Sequence, residues 1–272
     1  MNYRRIEIIF LMVFLLINAY LISVLYKANK DREIVHSRED NNIVQVLKEE
    51  NIKYDKKLSN KHAKGTYISG EITSLLDGST NLVNQKVTDN QGMLVSTLQN
   101  PMVFSKQDEI ASLNKFKNNS HNVQYGEDYQ YLKEASSSNK VVCYAQKYDN
   151  LPIFDESAEI VFIKENSKSN KEKILGYKQK HIVNIQEMRD KQVLISQKDA
   201  LITLFNNNKL DRGMTIEWIT LGYSKIYNED KTNIYVPTWF VSLKTSNDVQ
   251  QLEKVNAITN KIMSGSTTDL VN

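Results

Sequence analysis

The chain has 272 residues, with 35 basic and 32 acidic side chains, a formal net charge of +3 and a single cysteine, Cys143. This length suffices for one large domain or two small ones with real cores. The balanced, scattered charges exclude a long basic surface for nucleic acid, and the lone cysteine excludes an internal disulfide, so a folded body must rely on packing.

The first predicted element is a membrane anchor over residues 6–26, IEIIFLMVFLLINAYLISVLY. A helix of this length reaches roughly 30 Å, which matches the hydrocarbon thickness of a bilayer. No small-residue cleavage pattern follows it, which argues against a cleaved signal peptide. The other alternative is a buried helix of a soluble protein, but such a helix normally carries a polar stripe. We therefore predict one uncleaved transmembrane helix.

Orientation follows from the flanks of this helix. Residues 1–5 form a short tail that carries Arg4 and Arg5, whereas Lys27, Lys30 and Arg32 follow the span. The basic counts are nearly even, but a long carboxyl-terminal part can be translocated largely regardless of its charge. We predict a cytoplasmic amino terminus, a stalk at residues 27–38 and an extracytoplasmic body.

The predicted span contains a polar residue near its middle. Asn18 shares one helical face with Phe14, Leu21 and Leu25. An amide in hydrocarbon gains roughly 0.6 to 2 kcal/mol from a partner helix that offers a hydrogen bond. These four residues are therefore the candidate partner contacts, the alternative being that Asn18 only snorkels or self-associates.

Three Ser-x-x-Asp patterns predict helix starts, because such pairs can satisfy the first free N–H groups of a helix. They occur at Ser37/Asp40, Ser105/Asp108 and Ser196/Asp199. The first predicts a helix over about 39–50, with Ile43, Val44 and Leu47 on one face.

Runs rich in β-branched and aromatic residues, separated by polar turns, predict antiparallel strands and hence an α+β body. The alternation from Tyr235 to Leu243 predicts a half-buried strand, and Pro237 should place it at a sheet edge or bulge. The predicted strands are Thr66–Leu75, Met93–Leu98, Val141–Tyr148, Ala158–Ile163, Ile174–Ile185, Met214–Ile226 and Tyr235–Leu243.

Loop signals near residues 136–139 and 149–152 suggest two lobes, 39–148 and 149–264, followed by a flexible tail at 265–272. The boundary near residue 148 is one interpretation, since no internal repeat supports it.

The sequence contains no common phosphate-binding, dinucleotide-binding, metal or acyl-transfer motif. Its four histidines, His36, His62, His121 and His181, are too far apart to form a local metal motif, so we predict neither metal nor cofactor. Cys143 lies in an apolar run and is predicted to be a small buried hydrophobe.

Two acidic residues, Asp155 and Glu156, could in principle serve glycoside hydrolysis. They follow Pro152 and precede a predicted strand, which favours a turn whose acids are solvated or accept backbone N–H groups. No catalytic residue is therefore assigned, and the chain is not expected to be an enzyme.

The chain resembles the YycI (WalI) family along its whole length. The pieces that carry the resemblance are FLLIN within the span, Leu151–Ile160 (LPIFDESAEI), Gly176–Gln179 (GYKQ), Tyr235–Trp239 (YVPTW) and Val255–Ala257 (VNA). The carboxyl-terminal part also resembles a PepSY-like hairpin, in which Asn260 occupies the usual glycine position of the turn and can enter the left-handed region.

This resemblance implies an accessory membrane protein of low-GC Gram-positive bacteria. It would act with the similar protein YycH, as a heterodimer, on the sensor histidine kinase YycG (WalK) of an essential cell-wall two-component system, through membrane-helix and extracytoplasmic contacts. The fold it implies is an antiparallel α+β body of the YycH/YycI type. The alternative is a tethered module that binds a wall ligand or inhibits a protease as a PepSY-like domain, unconnected to a kinase.

Overall fold

The computed structural model describes residues 8–24, 43–54, 56–136, 141–165, 171–229 and 231–264. The predicted tails, the stalk and the Ser37/Asp40 pattern lie outside these ranges. The chain separates into two compact units, Met1–Asn51 and Ile52–Asn272. The lobe boundary near residue 148 stays a prediction.

The described residues of the first unit include the helices α1 at 8–24 and α2 at Ile43–Glu49. In the parts of the chain that the structure describes, no helix combines the length and apolar character that a membrane crossing requires. On α2, Ile43 and Leu47 are buried as predicted, whereas Val44 is 44% exposed and does not belong to the buried face.

The second unit confirms the predicted α+β class, because it consists of antiparallel sheets with few helices. Its helices are α3 (Glu109–Lys117) and α4 (Gln197–Asn206). Its strands are β1 (Lys64–Gly65), β2 (Ile68–Thr73), β3 (Gln85–Asn90), β4 (Met93–Ser105), β5 (Tyr129–Tyr131), β6 (Val141–Tyr148), β7 (Leu151–Pro152), β8 (Glu159–Lys164), β9 (Lys171–Gln179), β10 (His181–Glu187), β11 (Gln192–Val193), β12 (Thr215–Glu229), β13 (Thr232–Lys244), β14 (Gln250–Asn256) and β15 (Lys261–Ile262).

One sheet has the order β3-β4-β9-β8-β6-β5, with β7 paired to β6. Its core includes Tyr144, Phe162 and Tyr177 from three of its strands, together with Leu113 of α3. The α3 helix therefore belongs to the core of this sheet. A separate pair, β1 with β11, forms a short antiparallel ribbon.

The other large sheet is built around β13. β12 pairs along its whole length on one edge, while β2 and β14 divide the opposite edge. Both faces of β13 are buried, so the prediction of a half-buried strand was wrong. Strands cover both edges, so the prediction of an edge position for Pro237 was also wrong.

The missing backbone N–H of proline nevertheless explains where Pro237 lies in the sheet, as predicted. Pairing with β2 ends at Tyr235, and pairing with β14 begins at Thr238. Pro237 occupies this gap, where its missing N–H breaks no ladder bond, and its carbonyl accepts from the Ala257 N–H at 2.8 Å.

Local helix and turn chemistry was predicted with mixed success. The Ser196/Asp199 capping box forms with both of its hydrogen bonds. The Ser105/Asp108 pattern does not cap α3, because the Ser105 hydroxyl donates to the Asp108 carboxylate and a 3₁₀ turn precedes the helix. Asn260 has φ 54°, which confirms the left-handed turn residue between β14 and β15.

The predicted strand over residues 174–185 is two strands in different sheets. β9 belongs to the seven-stranded sheet and β10 to the six-stranded sheet, with only Lys180 between them. The chain therefore passes from one sheet to the other at Lys180. The polar clusters described below lie around this crossing.

Candidate functional site

The predicted contact face of α1 is exposed. Large apolar side chains between Ile8 and Val24 are 46–76% exposed, and Phe14 and Leu21 are among them. The Asn18 side-chain amide donates to the Phe14 carbonyl at 2.8 Å, one turn earlier in the helix. This bond satisfies one N–H of the amide within its own helix. Leu25 lies outside the described residues, and the contact role of this face stays a prediction.

The two acids considered for catalysis form a turn, as predicted. The Asp155 carboxylate accepts from the Ser157 N–H at 3.0 Å and so caps the 3₁₀ turn Glu156–Ala158. Lys225 lies 3.0 Å from the same carboxylate, which is only 13% exposed. Glu156 is 74% exposed and pairs with Lys180 at 3.7 Å. The two carboxylates thus have different environments and separate basic partners.

The Asp155 turn is joined to β13 by buried hydroxyl groups. The Ser157 hydroxyl contacts the carboxylate of Asp155 and lies 2.8 Å from the Tyr235 hydroxyl. Asn233 donates to the Tyr235 hydroxyl at 2.8 Å and to the Ser157 hydroxyl at 3.3 Å. Because Ser157 is 2% exposed and Tyr235 is fully buried, no substrate could reach this serine. We call these four residues the junction cluster.

Apolar packing strengthens the same junction. The Phe154 ring stacks on Phe240 at 4.3 Å between centroids, and the Phe154 N–H donates to the Tyr223 carbonyl at 2.9 Å. At Gly222 a Cβ atom would lie 2.6 Å from the Phe154 ring, so only glycine leaves room for this ring. Two pieces of the family resemblance, Leu151–Ile160 and Tyr235–Trp239, therefore meet in space.

Glu159, the first residue of β8, has an unusual acidity. Burial, and after it the nearby charges of Glu156 and Asp155, raise the pKa of its carboxyl from 4.5 to about 7. Its side chain therefore changes charge near neutral pH. Sequence reasoning did not single out this residue, because its acidity depends on burial and on neighbours in the folded turn.

A second polar cluster surrounds His181 at the start of β10. The Tyr129 hydroxyl donates to the Lys180 carbonyl at 2.6 Å, so its oxygen accepts from Nδ1 of His181 at 2.9 Å. The Tyr125 ring stacks on the imidazole at 4.3 Å between centroids. Burial lowers the pKa of His181 to about 4, which keeps the imidazole neutral at physiological pH.

The other histidines and Cys143 were assigned no metal or catalytic role from the sequence. His62 Nδ1 contacts the Leu194 carbonyl at 2.8 Å, and His36 lies outside the described residues. Within the described ranges, no group of three or more His, Cys, Asp or Glu side chains could hold a metal ion. Cys143 is buried as predicted, and burial raises the pKa of its thiol to about 12.

Side chains from the seven-stranded sheet and α3 hold the loop at residues 118–128, which we call the tyrosine loop. Tyr177 donates to the Asn122 carbonyl at 2.7 Å, and Gln179 donates to the Gln124 carbonyl at 2.6 Å. Both donors belong to the Gly176–Gln179 piece of the resemblance. That piece therefore fixes a loop 55 residues earlier in the chain, a role that no local pattern indicates.

A buried lysine completes the support of the tyrosine loop. Lys117 is 4% exposed and donates to the Gly126 carbonyl at 2.7 Å and to the Asn118 side chain at 2.6 Å. Burial lowers its pKa. At Gly126 a Cβ atom would lie only 1.6 Å from the Lys117 carbonyl oxygen, so the close approach of loop and helix requires glycine.

Comparison with known proteins identifies the family. The family model described as "YycI protein" matches residues 31–258. Among solved structures, the chain is similar to an uncharacterised protein from Eubacterium rectale ATCC 33656, with a TM-score of 0.41 and 8% identity over 75% of this chain and 87% of that one. The search of curated proteins found no match.

Proposed function

The chain belongs to the YycI family, as its resemblance predicted, and we propose that it is a membrane-anchored regulator of the YycG/WalK sensor histidine kinase that acts together with a YycH-like protein. The YycI family is a regulatory accessory family associated with this kinase system and is not known as an enzyme. The single observation that carries the proposal is the family match over most of the chain.

Anchoring by residues 6–26 is supported by the character of α1. A helix whose large apolar side chains are 46–76% exposed would be poorly soluble in water, since burial of apolar surface is favourable by roughly 25 cal/mol per Å². A bilayer or a partner helix would cover this surface. We propose that residues 6–26 span the membrane, with the amino terminus in the cytoplasm and the second unit outside the cell membrane.

Regulation would then act through contact between membrane helices. A helix beside the kinase can shift its signalling equilibrium only by binding one state better than the other, and a coupling of about 1 to 3 kcal/mol changes the population ratio about 5- to 150-fold. The side-chain amide oxygen of Asn18 makes no hydrogen bond within the described helix, so it could accept one from a kinase helix. The body would contact the YycH-like protein.

The proposal is tested by replacing Asn18 with leucine in the full chain. Asn18→Leu should weaken co-purification with the kinase, because the partner helix loses a hydrogen bond in an apolar medium. Ser23→Leu is the matched control, since it also replaces a small polar residue of α1 by leucine. Equal recovery of the kinase with both variants would reject the role of Asn18.

A second experiment separates regulation from simple tethering. Replacing residues 6–26 by an unrelated membrane helix should abolish regulation of the kinase if the native helix makes the contact. A tethered module that binds a wall ligand or inhibits a protease would keep its activity after this exchange. A carboxyl terminus that is accessible to labels from the cytosol would reject the proposed orientation.

A further inference from the structure

A cavity of about 470 Å³ opens beside the tyrosine loop. Its volume falls in the range of small-molecule sites, about 300 to 1,000 Å³. No residue of this cavity was singled out as a binding residue from the sequence. It is lined by Gly78, Asn81, Ser120, His121, Gln124 and Tyr125.

Tyr125 provides an aromatic platform at this cavity. One face of its ring is covered by His181, in a stack with only 5° between the ring planes, yet the residue is 52% exposed. Its backbone has φ 51° and ψ 25°, in the left-handed region that a bulky residue rarely adopts. Such strain costs about 1 to 3 kcal/mol and is found preferentially at ligand sites.

Three further residues of the lining carry exposed polar side chains. The side chains of Asn81, Ser120 and His121 make no hydrogen bond within the described part of the chain. The lining contains no Asp, Glu, Lys or Arg. A phosphate or a metal ion would find no charged partner here, whereas hydroxyl and amide groups of a neutral ligand would find both donors and acceptors.

The site is also held in place before any ligand binds. Gln124 donates to the Leu75 carbonyl at 2.7 Å, and its side chain packs so closely on Gly78 that a Cβ atom there would lie 2.3 Å from the amide oxygen. Val83 donates to the His121 carbonyl at 2.9 Å. A preorganised loop of this kind loses little entropy on binding, which raises its affinity.

We propose that this cavity binds a neutral saccharide unit, separately from the proposed regulation of the kinase. The apolar face of a sugar ring stacks on the exposed face of Tyr125, and its hydroxyl or acetamido groups exchange hydrogen bonds with Asn81, Ser120 and His121. The acetamido group, with one donor and one acceptor, matches the side-chain amide of Asn81. An N-acetylated sugar is therefore the preferred ligand over a simple hexose.

The test uses the full chain in a detergent without a sugar head group, such as lauryldimethylamine oxide, with tetra-N-acetylchitotetraose as the probe. Isothermal titration calorimetry should detect binding that Tyr125→Ala weakens at least about tenfold, equivalent to about 1.4 kcal/mol. Tyr125→Phe should retain binding, because the platform remains. Tyr227→Ala is the matched control, since Tyr227 is equally exposed at 52% on β12.

Two further variants test the inference even if Tyr125→Ala disturbs the fold of the tyrosine loop. Tyr125→Gly removes the ring and tolerates the left-handed backbone, and Asn81→Ala removes one amide at an exposed position. Both should weaken binding while circular dichroism stays unchanged. The inference is overturned if the probe does not bind at about 10 mM, if these variants bind it normally, or if inorganic phosphate binds instead.

Discussion

The partly buried carboxyl of Glu159 gives the second unit a stability that depends on pH in a defined direction. Its pKa in the folded chain is about 7, against an ordinary value of 4.5. A raised acid pKa stabilises the fold below about pH 4.5, and this contribution is lost as the pH rises through 7. At 1.36 kcal/mol per pKa unit, the loss is at most about 3 kcal/mol, because remaining solvent contact screens part of it.

Glu159→Gln should therefore stabilise the chain at pH 8 by up to about 3 kcal/mol and change its stability little at pH 4.5. Urea denaturation of the full chain, followed by circular dichroism between pH 4 and 8, measures the difference. Glu229→Gln, at an exposed position at the end of β12, is the matched control for the loss of one carboxylate. A Glu159→Gln difference that does not grow between pH 4.5 and 7 would refute the reasoning.

Two other substitutions test the clusters around the sheet crossing. Tyr235→Phe should lower the free energy of unfolding by about 1 to 3 kcal/mol, because it leaves buried polar partners unsatisfied, whereas Tyr227→Phe at an exposed site should change it by less than about 0.5 kcal/mol. Equal urea midpoints for the two variants would contradict the role of the junction cluster. Gly126→Ala should destabilise the chain by about 3 kcal/mol, since the new Cβ would clash with the Lys117 carbonyl at 1.6 Å. At Gly92, whose φ is 78°, a Cβ meets no atom within 4 Å, so Gly92→Ala has only the backbone strain of about 1 kcal/mol and should cost less in a thermal melt; the reverse order would show that the loop adapts freely.

Features that depend on neighbours in the sequence were predicted well. The capping box joins Ser196 and Asp199, which are three positions apart, and the left-handed turn depends on the single residue Asn260. β6 has the predicted bounds, because its apolar run is flanked by turn signals on both sides. The turn at Asp155 was also predicted correctly, because the Asp155 carboxylate and the Ser157 N–H that donates to it are only two residues apart.

Predictions failed where a distant segment decides the outcome. β13 shows alternation typical of a half-buried strand, yet partners on both edges and packing on both faces bury it. One apolar run became β9 and β10, because a strand pattern does not say which sheet each half will join. The β3 and β14 strands are polar enough to escape notice, and pairing with β4 and β13 creates them.

The sequence by itself determined the apolar amino-terminal helix, the antiparallel α+β class, the family and the local turns, because each depends on composition or on residues a few positions apart. Only the tertiary structure decided the two polar clusters. Ser157 meets Tyr235 across 78 positions, and Tyr129 meets His181 across 52. The chain folds these pairs together because a buried hydroxyl or imidazole must find a partner, and which partner it finds is set by sheet topology.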